Sequence, residues 1–175
     1  ISLLNLDEIS KVLVSRLPLL LNVGYFTLFL YDKDKSKLNL VCHNHPNIND
    51  SLSISLSSSL VMKDAVKSGS YILEDDFYNS KYYEGTNNSL FKKRSFLTIP
   101  LVVGNESMGV LNLNDNEDDS FIENNLKNIL NMADFISLSI GNAVLYEQAK
   151  KVAVTDALTG IANRSSMEMA LTNEF

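Results

Sequence analysis

Phe96-Leu97-Thr98-Ile99-Pro100-Leu101-Val102-Val103, the turn Gly104-Asn105-Glu106-Ser107, and Met108-Gly109-Val110-Leu111-Asn112-Leu113 form the stretch from which the fold is read. Two runs of aliphatic and β-branched residues flank a short polar turn holding a glycine, the pattern of a β-hairpin. Pro100 has no N–H to give to a ladder, so its strand needs an edge or a bulge there. Upstream, residues 74–89 are polar and tyrosine-rich and read as a loop with a short helix, preceded by a short strand at Tyr71–Leu73. Ser51–Ser57 alternates serine with leucine and isoleucine, a half-buried strand. It leads into a helix capped by Ser58 or Ser59 and closed by Gly69. Further back, Tyr25–Tyr31 and the alternating Leu38, Leu40 and Cys42 make another hairpin around Asp32–Ser36. Leu6, Ile9, Leu13, Leu17 and Leu20 trace one face of an opening helix that Pro18 should bend or end.

Downstream, Asn114–Asp119 reads as an acidic loop, and Ser120 with Glu123 is spaced as a capping box for a second long helix. Its apolar positions Ile122, Leu126, Ile129, Ala133, Ile136, Ile140 and Ala143 keep a helical rhythm. Another seam runs through Leu138, Leu145, Ala149 and Val152, with Asn142 in it and Gly141 beside it. A helix of about 35 residues would be ~50 Å long, more than one small domain covers. Its end therefore needs a partner, and a parallel copy of itself meets that need. Strands joined as hairpins and mixed with helices give an α+β domain with an antiparallel sheet.

The chain has 175 residues, 19.5 kDa and a formal net charge of −6. That length suits one buried domain, and a hydrophobic content of 45% excludes a disordered chain. Beyond Lys92-Lys93-Arg94 there is no basic stripe, which argues against nucleic acid as a partner. One cysteine, Cys42, makes no internal disulfide, and a reducing, cytoplasmic setting follows. No apolar run approaches a membrane span and no signal peptide is evident. The opening at Ile1 suggests a piece of a longer protein whose upstream part could hold membrane segments.

Tests for chemistry narrow the field. No G-x-G-x-x-G, no phosphate-binding loop and no G-x-S-x-G is present. His43 and His45 sit at strand spacing and could face one ion, or simply end a strand in a solvated loop. Glu74-Asp75-Asp76 reads either as a cation site or as a cap, and Lys92-Lys93-Arg94 as an anion contact or a surface run. Asp115–Asp119 lacks the glycine and glutamate of an EF-hand loop. Tyr71, Phe77, Tyr78, Tyr82, Tyr83, Phe91 and Phe96 bunch together, equally as pocket walls or as cover for a sheet face. A pocket beneath the 74–89 loop would be lined by Tyr78, Tyr82, Tyr83, Arg94 and Thr98.

Two stretches resemble known families. The element order, with Arg94–Leu101, Met108–Leu113 and Phe121 as landmarks, resembles a GAF domain over roughly residues 3–140. The resemblance implies an antiparallel sheet of about six strands flanked by helices, with a long C-terminal signalling helix. Asp156-Ala157-Leu158-Thr159-Gly160-Ile161-Ala162-Asn163-Arg164 is similar to the D-x-L-T-G-x-x-N-R segment that opens GGDEF diguanylate cyclase domains. There Asp156, Gly160, Asn163 and Arg164 would form a structural turn, not a catalytic one. The implied layout is a sensory domain at 1–136, a coiled-coil helix at 137–155 and the start of a truncated GGDEF domain at 156–175. The fragment would then be no enzyme and hold no cofactor, metal or catalytic residue. The full protein would condense two GTP with magnesium into cyclic di-GMP. It would work as a homodimer through its N- and C-terminal helices, controlled by an unidentified small molecule or by dimer state. The alternatives are a ligand-free dimerisation module and a GGDEF protein with degenerate or phosphodiesterase output. Asp115 and Asn125-Leu126 depart from the signature of cyclic-nucleotide-binding GAF domains, and Cys42 does not match a bilin attachment site.

Overall fold

The structure is a computed structural model that describes residues 6–83, 95–116 and 125–154. Among these residues, three helices and six strands are arranged as α1 (Leu6–Leu21), β1 (Val23–Asp32), β2 (Lys37–His43), β3 (Ser53–Ser55), α2 (Leu60–Ser68), β4 (Ile72–Glu74), β5 (Phe96–Val103), β6 (Glu106–Asn116) and α3 (Leu126–Val154). Single 3-10 turns at Leu56–Ser58 and Phe77–Asn79 fill the connections. The strands form one antiparallel sheet in the order β3-β2-β1-β6-β5-β4. The expected α+β, six-stranded architecture is therefore present.

The two faces of the sheet differ. Alternate residues Phe26, Leu28, Leu97, Ile99, Leu101, Leu111 and Leu113 point to one side, where α1 and α3 cover them with Ile9, Leu13, Leu17, Leu21, Ile129, Ala133, Ile136, Ile140 and Ala143. The other side carries Phe29, Leu38 and Val110, covered by α2 and the segment before it through Leu56, Met62 and Val66.

Several expectations are corrected. Pro18 does not end α1, which runs another turn to Leu21. The stripe therefore closes on Leu21, buried, and not on Leu20, which is 63% exposed. Asn22, in the left-handed region at φ 53°, stops the helix, a conformation asparagine tolerates. Leu38, Leu40 and Cys42 do not share a face. The register slips between Leu28↔Cys42 and Phe29↔Leu40, so Val41 is an extra residue that turns Cys42 toward α1. Asn114–Asn116, expected in the acidic loop, belong to β6, which pairs with β1 through Asn114 and Asn116. Pro100 lies past the three residues that β4 pairs and just before a register slip at Leu101/Val102. Of the edge and the bulge expected at Pro100, the edge holds; the extra residue of the slip, Met108, belongs to β6. α3 starts after Asn125, whose carbonyl accepts the Ile129 N–H at 2.9 Å; the Ser120–Glu123 box lies outside the described residues. Ser59 and Gly69 cap α2 as expected, Gly69 at φ 65°.

Candidate functional site

Three polar side chains stand in line across the α2-covered face, where alternation would place apolar ones. Thr27 of β1, Asn112 of β6 and Thr98 of β5 are direct cross-strand neighbours. All are buried, at 7%, 7% and 2% exposure. Thr98 Oγ1 donates to Asn112 Oδ1 at 2.9 Å, and Asn112 Nδ2 donates to Thr27 Oγ1 at 3.0 Å. The second proton of that amide points at Met62 Sδ of α2, 3.6 Å away. The large majority of buried polar groups are paired, and this row pairs within itself, with the Met62 thioether as its roof. The register continues the row to His43 on one side and Ile72 on the other.

Aromatic rings close one end. Phe96 leads into Thr98 along the same face; Phe77 lies edge-on to it at 5.7 Å between centroids, and Tyr82 at 6.3 Å. Tyr83 packs edge-on to Phe77 and Tyr78, at 5.5 and 5.3 Å. The loop is held down by α2: Tyr82 Oη donates to Asp64 Oδ2 at 3.2 Å, and Lys81 Nζ reaches the same oxygen at 3.4 Å while sitting over the Tyr82 ring. Its bonding to Tyr82, and then to Asp64, holds the Lys81 ammonium above the ordinary lysine range. Asp76 begins the 3-10 turn, accepting from Tyr78 N and Asn79 Nδ2. This is the capping reading of the Glu74–Asp76 cluster.

Of the residues expected in a pocket, Tyr78, Tyr82, Tyr83 and Thr98 lie on this side of the sheet, with Tyr82 buried and Tyr78 at the rim. Arg94 lies outside the described residues, as do Lys92, Lys93, Asp156, Gly160, Asn163 and Arg164. Sequence reading missed Thr27, Met62 and Asn112. The available signal was positional: 27, 98 and 112 are polar at strand positions whose i±2 neighbours include Phe29, Phe96 and Val110.

His43 and His45 spend ring nitrogens locally. His43 Nδ1 accepts the His45 N–H and His45 Nδ1 accepts the Asn47 N–H, each at 3.1 Å. His43 Nε2 lies 2.8 Å from Asp50 Oδ1. Tyr25 packs on the buried His45 ring at 4.4 Å. Between them Asn44 acts as a strand substitute, accepting from Phe26 N and donating to Gly24 O, both at 2.8 Å. The pair thus shapes the end of β2 and does not converge on one point. Cys42 is on the opposite face, where burial pushes its thiol up to about 11.

Residues 5–142 match the family model described as GAF domain. Similar solved structures include the GAF domain from a phosphoenolpyruvate-protein phosphotransferase of Coxiella burnetii, 21% identical, covering 82% of this chain and 87% of that one at a TM-score of 0.70. Another is the GAF domain of a two-component sensor histidine kinase from Bacillus halodurans, 21% identical over 82% and 98% of the two chains, at 0.64. A third is free methionine-R-sulfoxide reductase from Neisseria meningitidis in complex with its substrate, 14% identical over 82% and 80%, at 0.61. No match was found among curated protein sequences.

Proposed function

The chain belongs to the GAF domain family, and from that premise we propose that it is the small-molecule sensing module of a bacterial diguanylate cyclase. The observation that carries the sensing role is the buried row Thr27–Asn112–Thr98 beneath Met62 and the aromatic loop. A face meant only for packing gains nothing from three buried polar groups. A ligand that displaces Met62 finds an amide and two hydroxyls with fixed directions. The aromatic bodies of Phe96 and Tyr82 supply apolar contact, as small-molecule sites commonly do. Tyr78, Tyr83 and Arg94 complete the proposed lining.

The output assignment rests on the D-x-L-T-G-x-x-N-R segment at 156–164 and on α3. The C-terminal part of α3 leaves the domain: residues 145–150 are all exposed. On its outer side Phe135, Leu138 and Leu145 are 69%, 56% and 58% exposed, with Asn142 between the last two. Spacings of three and four suit a parallel coiled coil, and a polar residue in the seam fixes register. α3 is also long and apolar enough to cross a membrane by length and composition, but Ile129, Ala133, Ile136, Ile140 and Ala143 commit one side of it to the core. We assign the fragment to the cytoplasm, as a homodimer through α1 and α3 with no membrane contact of its own. It is not itself an enzyme; GTP, magnesium and synthesis of cyclic di-GMP belong to the cyclase domain that follows. Sulfoxide reduction by protein side chains calls for a thiolate, and the single thiol here faces away from the row.

Native mass spectrometry of the purified chain tests this. The reading expects a dimer carrying added small-molecule mass that Asn112→Leu abolishes, and disulfide formation between copies of Leu145→Cys. A second reading, a dimerisation module without ligand, is favoured by Met62 and Tyr82 filling the site themselves. It expects the dimer with no added mass. A monomer at micromolar concentration removes both.

A further inference from the structure

We propose that the turn end of the β5–β6 hairpin is the mechanical link between the α2-covered site and the output helix α3. This rests on the reading of that site as the sensing one.

Ser107 Oγ donates to the Val66 carbonyl at 2.9 Å. Val66 lies in the last turn of α2, where carbonyls have no intrahelical donor. Gly69 N takes that of Ala65, and Ser107 takes the next. Met62, the roof of the polar row, lies one helical turn before Val66 on the same helix. The register slip at Leu101/Val102 makes Met108 an extra residue. Without it Ser107 would face α3; with it Ser107 faces α2. Its hairpin neighbour Val103 points to the other side, against Gly141 of α3. A Cβ built on Gly141 would lie 2.8 Å from Val103 Cγ2, so the glycine lets the helix sit directly on the strand end. Gly141, itself buried, stands between buried Ile140 and Ala143, one turn before the exposed residues 145–150. Displacing Met62 moves α2, α2 pulls the hairpin end through Ser107, and Val103 shifts its seat on Gly141.

Contiguity shows a route, and a coupling measurement decides whether it carries energy. Hydrogen exchange followed by mass spectrometry on the intact chain provides one, with Met62→Ala as the perturbation. The proposal expects exchange in residues 137–145 to rise at least about twofold, the low end of site-to-site couplings, with a smaller rise in α1. In a Ser107→Ala background the response of 137–145 to Met62→Ala falls to that of α1, and Ser107→Thr restores it. Equal rises in α1 and α3, no rise, or an undiminished response in Ser107→Ala overturn the proposal. Met62→Leu, which keeps the volume and loses the amide contact, replaces the alanine variant if that one does not fold. No ligand is added, so a failure here leaves the mass-spectrometric test of sensing untouched.

Discussion

The two faces of this sheet are built from the same strands and do different work. The α1/α3 face is apolar from Phe26 to Leu113 and closes with long helices at regular spacing. The α2 face is interrupted by a polar row, roofed by one methionine and bordered by tyrosines on an irregular loop. One is a foundation whose rigidity comes from burial. The other trades apolar contact for directed hydrogen bonds among buried groups, the trade that the proposed sensing role calls for.

Breaking the foundation should cost most. Ile140→Ala, at a fully buried position of α3, is expected to lower unfolding free energy by about 3 kcal/mol in urea titration. A loss under 1 kcal/mol would mean α3 is not seated as described. On the other face, Asn112→Ala strands two hydroxyls and should cost about 1–3 kcal/mol. The triple change Thr27→Val, Asn112→Leu, Thr98→Val removes every partner together and should cost less than the single one. If it costs more, the row is a structural brace.

Cys42 sharpens the contrast from the foundation side. Its thiol is raised from an ordinary value near 9 to about 11 by burial. Folding thus favours the neutral thiol: its contribution is complete below pH 9 and is lost as pH rises toward 11. The loss should reach about 2–3 kcal/mol, and Cys42→Ser should flatten stability between those pH values. Smallest is Lys33→Ala. The Lys33–Glu106 pair joins two hairpin turns at 3.0 Å but is exposed on both sides. The melting transition should stay where it is, because solvent screens an exposed pair of this kind.

The foundation was the more legible face. Periodicity located both long helices and the two hairpins because burial on one side enforces a repeating pattern. It went wrong where a single residue changed the repeat: Val41 as a bulge reversed Cys42, and Leu21 replaced Leu20 once α1 passed Pro18. The proposed site was legible through its aromatics and one threonine. Tyr82 and Thr98 stood out as a tyrosine in a loop and a hydroxyl in a strand. Asn112 and Thr27 gain meaning only from cross-strand register, which joins residues 85 positions apart.

The most direct test is an NMR titration of the isotopically labelled chain with the deproteinised small-molecule fraction of bacterial cells. The account predicts shifts at Thr27, Met62, Phe96, Thr98 and the Asn112 side-chain amide, with α1 silent. Shifts confined to the α1/α3 face, or none on the α2 face, would contradict it.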